Sequence, residues 1–403
     1  MKLCKLAYRN IWRNKRRAAI TIASVFFAVF FCSIMDSQQK GMWEQMIYNT
    51  LRTQAGHIEI HGAGYWEDKI IDNFMTIDDA AISEISRLDN VDNVSPRVEV
   101  FALASFGNAV KGIAVVGISP GNEAKKFNLA SHITKGGYLS ETDDGIIIGE
   151  ELAGYLQASV GDTVAFIGQG HFGVSAAGLF PVRGVFHFTA HELNSSVAYA
   201  SLPTVQNFID MPNGYSGILI TLKDGKRLDN AINKVKEVVD TENNEVYPWH
   251  FTMQRLLQTA ESDQLFSKLI IFILYLIVGF GILGTVIMLT NERKKEFRTM
   301  ISLGMQRGKL ALTVVIELLL MAFIGVLSGL AISYPVAAWF HFHPVHMSGE
   351  MAKAYTDYGM EPILPTSTDA SIFVSQIIVV LIIVFITAIY PVRKIKRINL
   401  IEK

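Results

Sequence analysis

Chemistry of its own is what this sequence lacks. It has two cysteines in 403 residues, Cys4 and Cys32, and none in the 233 residues from Asp36 to Lys268. That long segment cannot be stapled by disulfides and depends on an apolar core of its own, which a chain of that size readily supplies. The histidines come without a His-Glu-x-x-His pair or a matching Cys set. His341, His343 and His346 with Met347, and His187 with His191 and Glu192, therefore read as solvated loop groups, not metal ligands. No nucleophile, base and acid stand in a catalytic order. A Walker motif is also missing. Its nearest approach, Gly304 to Leu310, sets the glycines one residue too close and puts Leu310 where a metal-binding Ser or Thr belongs, so it reads as a turn into a helix. Two G-x-G-x-x-G matches fail on context. Gly279, Gly281 and Gly284 lie inside an apolar run, where small residues serve helix packing. Gly168, Gly170 and Gly173 open no clear helix, and no acidic residue stands about 20 positions on in a βαβ setting. The chain is expected to be no enzyme and to hold no cofactor or metal itself.

What is present is a set of four long apolar runs, at 18–35, 269–290, 310–340 and 372–390, with sharply divided charge around them. Each is long enough to cross ~30 Å of hydrocarbon as a helix. Residues 1–17, 291–309 and 391–403 together hold 18 basic and 3 acidic residues, whereas 36–268 and 341–371 hold 18 basic and 33 acidic ones. Lys and Arg flanking the spans mark the cytoplasmic side, so both termini and the 291–309 loop are expected inside, and 36–268 and 341–371 outside. The first run also has the basic start of a signal peptide. Its length, and the lack of a small-x-small site before Asp36, favour a retained span, and Val29-Phe30-Phe31 before Cys32 does not suit a lipoprotein signal.

Ahead of the first run, Leu3, Cys4, Ala7, Tyr8, Ile11 and Trp12 share one helical stripe, and Lys2, Lys5, Arg9, Asn10 and Arg13 the other. This pattern predicts an amphipathic helix over 1–17 lying along the inner membrane surface, in contact with lipid. After the run, polar residues from Asp36 to Gln54 can continue the helix as a stalk. The outer segment then alternates strand and helix. Strands are expected at 57–61, 97–104 and 112–117 with a helix at 77–88. Later come strands at 198–201, 217–222 and 245–249, with helices near 205–209 and at 228–239. Between them, 118–197 reads as short strands and turns. The expectation is one α+β unit, made of halves at about 54–117 and 198–250, split by an inserted, mostly β unit. The fold class is a polytopic α-helical membrane protein with four transmembrane helices and a large α+β extracytoplasmic domain between the first and second.

Several segments resemble the permeases of the FtsX/MacB superfamily of ABC transporters. Leu6-Ala7-Tyr8-Arg9-Asn10-Ile11-Trp12-Arg13-Asn14-Lys15-Arg16-Arg17 is similar to that family's entry to the first span. Asn291-Glu292-Arg293-Lys294-Lys295-Glu296-Phe297 with Leu303-Gly304-Met305 is similar to its loop between the second and third spans. Glu317 ahead of Gly325-x-x-x-Gly329, and the closing Tyr390-Pro391-Val392-Arg393-Lys394-Ile395, match as well. Outside the spans, Gly56-His57-Ile58-Glu59-Ile60-His61 with Gly64-Tyr65, and Gly149-Glu150-Glu151-Leu152-Ala153 with Val160-Gly161-Asp162, resemble the lipoprotein-releasing branch.

The resemblance implies a permease that works mechanically, without a continuous channel, in a bacterial inner membrane. ATP and Mg would be bound by a separate cytoplasmic ABC ATPase subunit, and a second permease copy or a paralogue would complete a dimer. The 291–309 loop would be the coupling element. Glu292, Arg293, Glu296, Phe297, Met300, Leu303 and Gly304 are its expected site residues, with Phe297, Met300, Ile301 and Met305 as apolar knobs for a groove on the ATPase. Glu317, about two turns into the third run, costs ~2.5–3.5 kcal/mol as an ion in the membrane unless paired. A partner is expected, a basic residue of the coupling loop being one candidate, and the residue either marks a hinge or snorkels to the inner surface. Gly325 and Gly329 suit close helix packing, within the chain or across a dimer. Lipoprotein extraction or export is the leading function. Efflux of a peptide, antibiotic or other amphiphile, and signalling to cell-wall hydrolases, are the alternatives. Nucleic acid is not an expected partner. Phe101, Phe106, Phe172, Phe180, Phe186 and Phe188 are candidates to touch cargo or to be core.

Overall fold

The computed structural model describes residues 2–13, 15–53, 55–126, 129–188, 191–357 and 362–398. Asn14, Gln54 and the expected end of the tail, 399–403 with Glu402 and Lys403, lie outside the described residues, as do the side chains of Lys2, Leu3, Cys4, Lys5 and Arg17. The chain opens with α1 (Lys2–Arg13) and α2 (Lys15–Thr53). Next come β1 (Ile58–Gly62), β2 (Met75–Thr76), α3 (Asp79–Arg87), β3 (Val91–Phe106), β4 (Ala109–Ile118), α4 (Pro120–Lys126), β5 (Ile133–Gly136) and β6 (Ile146–Gly149). They are followed by α5 (Glu150–Leu156), β7 (Thr163–Gln169), β8 (Ser175–Phe186), α6 (His191–Ser196), β9 (Val197–Ser201), α7 (Leu202–Phe208), β10 (Gly214–Tyr215) and β11 (Gly217–Leu222). The rest is α8 (Leu228–Val238), β12 (Asn244–Pro248), α9 (Trp249–Thr252), α10 (Gln254–Glu292), α11 (Lys294–Ser302), α12 (Arg307–Phe342), β13 (Val345–His346), α13 (Glu350–Asp357), β14 (Ile363–Leu364) and α14 (Ala370–Lys396).

These elements form two compact units. The helical unit comprises residues 1–45, 258–346 and 363–403, and the α+β unit 46–257 and 347–362. Four helices are long and apolar enough to cross a membrane: Ala18–Leu51, Gln254–Glu292, Arg307–Phe342 and Ala370–Lys396. Each extends past its apolar run. The first does so because Asp36 to Thr53 holds no Pro and only one Gly, Gly41, so nothing stops the helix. Within the helical unit α12 is the central element, with 56% of its apolar window buried against 17% for α10. Gly325 and Gly329 explain how α2 approaches it so closely. A Cβ on Gly325 would stand 2.7 Å from the Val25 Cβ, and one on Gly329 2.9 Å from the Val29 Cβ. Both glycines thus serve packing inside the chain. At the other end of the unit, Ser37 and Ser367 bond reciprocally, with Ser37 Oγ donating to the Ser367 carbonyl at 2.6 Å and Ser367 N–H to the Ser37 carbonyl at 2.8 Å.

In the α+β unit one sheet runs β12-β1-β11-β3-β4-β9-β6-β8-β5, with β7 paired to β3 and β8. The sixteen-residue β3 joins two cores. Its first half pairs antiparallel with β11, from Val91↔Leu222 to Arg97↔Gly217, over a core of Ile58, Ile60, Ile85, Ile218, Ile220 and Val235 from β1, α3, β11 and α8. Its second half pairs with β4 and β7 over Val100, Ile113, Ile148, Leu152, Phe166 and Val205. The expected halves and inserted unit are therefore divided elsewhere. Residues 198–201, expected in the second half, form β9, which lies parallel to β4 and antiparallel to β6 among the strands of the second core. The reason is that β9 is buried at all five positions and needs a sheet neighbour on each side. A single long strand shared by two cores leaves no break in periodicity for a sequence reading to find.

Candidate functional site

The loop between the second and third candidate spans folds as α11, and its sequence explains both ends. Arg293 opens the helix, and Leu303-Gly304-Met305 closes it with two bonds: Gly304 N–H to the Ile301 carbonyl and Met305 N–H to the Met300 carbonyl, each 3.0 Å. Gly304 has φ +94°, the left-handed geometry this helix end requires and glycine adopts without penalty. Phe297 is 1% exposed, packed with Leu310, Ala311 and Val314 of α12 and with Ile395 and Ile398 of the last helix and its end. It does not project outward as a knob, and Met300, Ile301 and Met305 are half-buried against the same cluster. Helical periodicity marks a residue as facing something apolar but does not say whether that surface is a partner or the chain's own bundle. Leu303, at 83% exposure, is the apolar residue this segment presents. Glu292 is also exposed, at the end of α10.

A buried ion pair lies beneath α11. Arg293 donates to Glu317 through Nη1 at 2.5 Å and Nη2 at 3.4 Å, and both side chains are 8% exposed. Glu317 thus has the basic partner expected from the loop and does not snorkel. Asn10 of α1 donates its Nδ2–H to Glu317 Oε1 at 2.5 Å, so one carboxylate receives three N–H groups from two residues, one on α1 and one at the start of α11. The Arg293 guanidinium also lies 5.2 Å from the centre of the Phe297 ring. Its Nε reaches Glu296 at 3.4 Å, and Glu296 in turn bonds Arg13 of α1. A cavity of about 20 Å³ beside the pair, lined in part by Thr290, Val314 and Met321, is large enough for about one water. Buried charge is tolerated only when paired and hydrogen-bonded, and here both conditions are met. The effect is to fix α11 to α1 and α12 by charge as well as by Phe297.

Asn10 and Arg13 were not legible as site residues. The stripe that groups Asn10 with Lys2, Lys5, Arg9 and Arg13 predicts a solvated face, yet Asn10 is buried, while Tyr8 and Trp12 of the opposite stripe are exposed. The available signal was chemical: Asn10 is the uncharged member of that stripe, and a neutral amide is the side chain that can enter a bundle and donate to a carboxylate.

The other singled-out residues lie apart from this cluster. His341 bonds the Thr366 carbonyl at 2.6 Å, His343 stacks on Trp339, and His187 and His191 pair with Glu150 and Glu151. Phe186 and Phe188 are core, Phe106 and Phe180 pack against core, and Phe101 and Phe172 are exposed. Gly170 follows the end of β7, and a single 3-10 turn over His171–Gly173, not an α-helix, leads into β8.

Four long apolar helices, with a large α+β unit following the first and a short ion-paired helix between the second and third, give the architecture of a multi-pass membrane protein. The MacB-like periplasmic core domain family matches residues 18–238, and the FtsX-like permease C-terminal family residues 268–400. The chain belongs to the FtsX/MacB superfamily of permeases. The macrolide export ATP-binding/permease protein MacB of Agrobacterium fabrum is 21% identical over 353 residues, 84% of this chain and 53% of that protein. This chain thus spans about half the length of that relative. The extracellular domain of the noncanonic ABC-type transporter YknZ from Gram-positive bacteria is 16% identical with a TM-score of 0.36, covering 47% of this chain and 98% of that one. The periplasmic region of MacB from Actinobacillus actinomycetemcomitans is 16% identical with a TM-score of 0.38, covering 53% and 98%.

Proposed function

We propose that the chain is the membrane subunit of an ATP-driven transporter, taking movement from a separate cytoplasmic ATPase at α11 and passing it through α12 to the rest of the molecule. The Arg293–Glu317–Asn10 cluster carries this reading. A short helix that merely set topology would need basic charge but no buried, three-donor anchorage to two other helices. In this account ATP and Mg reside on the partner, Leu303 and the end of α11 dock into it, both termini share its side of the membrane, and a second permease completes the assembly.

Lipoprotein release from the inner membrane is the cargo reading we favour. A multiply acylated protein held by ~0.8 kcal/mol per buried CH2 does not leave a bilayer unaided, which is a task for an ATP-driven machine. One observation favours a second reading, efflux of an amphiphile: the relative from Agrobacterium fabrum is named for macrolide export.

Affinity purification of the tagged chain and of its Leu303→Glu variant in mild detergent, followed by mass spectrometry, tests the docking role. Recovery of a Walker-motif protein with the wild type but not with the variant supports it, and equal recovery with both removes it. Acylated proteins among the co-eluting species point to lipoprotein cargo; their absence moves the weight to efflux.

A further inference from the structure

One side of α1 turns inward, with Ala7 and Asn10 buried and Leu6 and Ile11 half-buried. The other side carries two rows. Tyr8 and Trp12, one turn apart with ring centres 6.2 Å from each other, are both 55% exposed. Beside them run Arg9 and Arg13, the latter engaged by Glu296. Arg9, Lys15 and Arg16 are exposed, and residues 1–17 contain no acidic side chain. The covalent chain fixes where this face lies. Lys15 opens α2 one helical turn, ~4.5 Å, before the candidate span begins at Ala18, and its ammonium lies 5.5 Å from the centre of the Trp12 ring. The headgroup layer is ~6 Å deep on each side of the hydrocarbon, so Lys15 and the Trp12 ring stand at its level.

We propose that this face of α1 holds the headgroup of an anionic phospholipid of the surrounding bilayer. The side-chain types select that occupant. Trp and Tyr set an apolar ring against acyl chains and a polar N–H or O–H among headgroups, which is why they collect at membrane interfaces. Hydrocarbon alone is a poor occupant, because it would desolvate the guanidinium and ammonium groups. A zwitterionic headgroup brings its own cation, which Arg9, Lys15 and Arg16 repel, whereas a phosphate without one meets only complementary charge. Each cation close to an anionic leaflet strengthens attachment roughly fivefold, so three give roughly 100-fold. The inward side of the same helix carries Asn10, bonded to Glu317, so a lipid that holds α1 in place also holds one donor of that cluster. The binding itself does not depend on the coupling role of α11, since neither the lipid-facing residues nor the test involve it.

The test uses the full chain in phosphatidylcholine nanodiscs that contain a small, equal mole fraction of brominated phosphatidylglycerol or brominated phosphatidylcholine, each with bromine near the headgroup end of its acyl chains. Bromine quenches nearby indoles, and the difference between the wild type and Trp12→Phe isolates the signal of Trp12. Quenching by the anionic lipid should exceed that by the zwitterionic lipid about threefold or more. Salt at about 1 M, where the Debye length is ~3 Å, should remove most of that excess. The Arg9→Gln, Lys15→Gln, Arg16→Gln triple variant should lose it as well, and the salt arm, which changes no residue, decides the matter if that variant inserts wrongly. Equal quenching by the two lipids overturns the proposal. So does an excess that inorganic phosphate abolishes at constant ionic strength, which would assign the face to a free anion. Quenching by neither lipid would assign it to something other than the bilayer and overturns the proposal too.

Discussion

Removing Arg293 should be far more damaging than removing Arg293 and the charge of Glu317 together. Arg293→Met takes two of three N–H donors from a carboxylate whose side chain is 8% exposed, leaving Asn10 as its remaining donor. Stranding one partner of a buried pair costs about 3–5 kcal/mol. Glu317→Gln leaves a neutral acceptor for Asn10 but a buried guanidinium with only the half-exposed Glu296 as counter-charge, worth about 2–3 kcal/mol by the strength of a charged hydrogen bond. The double variant has no unpaired charge and keeps an acceptor for Asn10, so it should cost no more than about 1–2 kcal/mol, well below the sum of the single changes. Cys32 is a natural probe, being 1% exposed inside the helical unit. Its modification by a maleimide during an SDS titration, in a Cys4→Ser background, reports unfolding of that unit directly. Additive costs, or an Arg293→Met cost under about 1 kcal/mol, would refute the view that the pair is a single buried unit.

Phe297→Ala should destabilise the helical unit by about 3–5 kcal/mol in the same titration, as expected for a buried aromatic. Leu303→Ala, being on the surface, should change it by less than about 0.5 kcal/mol while lowering ATPase recovery on purification. Gly329→Ala should cost about 1–3 kcal/mol by overpacking, because its Cβ would meet Val29; an unchanged midpoint would mean α2 can move away freely. His57 accepts the Leu222 N–H through Nδ1 at 3.2 Å, and burial lowers its pKa below the usual ~6.5. Its contribution to the α+β unit is then fully present above pH ~6.5 and lost as pH falls through the folded-state value. His57→Asn, which keeps an acceptor but cannot titrate, should flatten the fall in melting temperature between pH 7.5 and 5, and parallel curves for both proteins would exclude this account.

The spans were legible because long apolar runs and divided charge have one physical reading in a bilayer. Local elements were legible where a cap or turn residue fixed them, as Asp78 does at the start of α3 by accepting the Ala80 N–H. Glu317 announced its need for a cation, and Arg293 supplies it. What stayed hidden was partnership over long sequence distance. Asn10 and Glu317 are 307 residues apart, Arg13 and Glu296 are 283 apart, and neither pair leaves a local pattern. The direction of Phe297 was hidden for a related reason: the same apolar spacing serves a docking knob and a core residue. Likewise β3 was expected only over 97–104, because its first half, from Val91 to Pro96, is defined by its pairing with the distant β11 and not by a local pattern.

The central claim is that α11 transmits force through its buried anchorage. The most direct test is ATP hydrolysis and cargo movement measured together in vesicles holding the native complex, for the wild type and for the Arg293→Met, Glu317→Gln double variant. Near-native stability with ATP hydrolysis retained and cargo movement lost is the predicted result. Cargo movement at the wild-type rate in that variant would contradict the account.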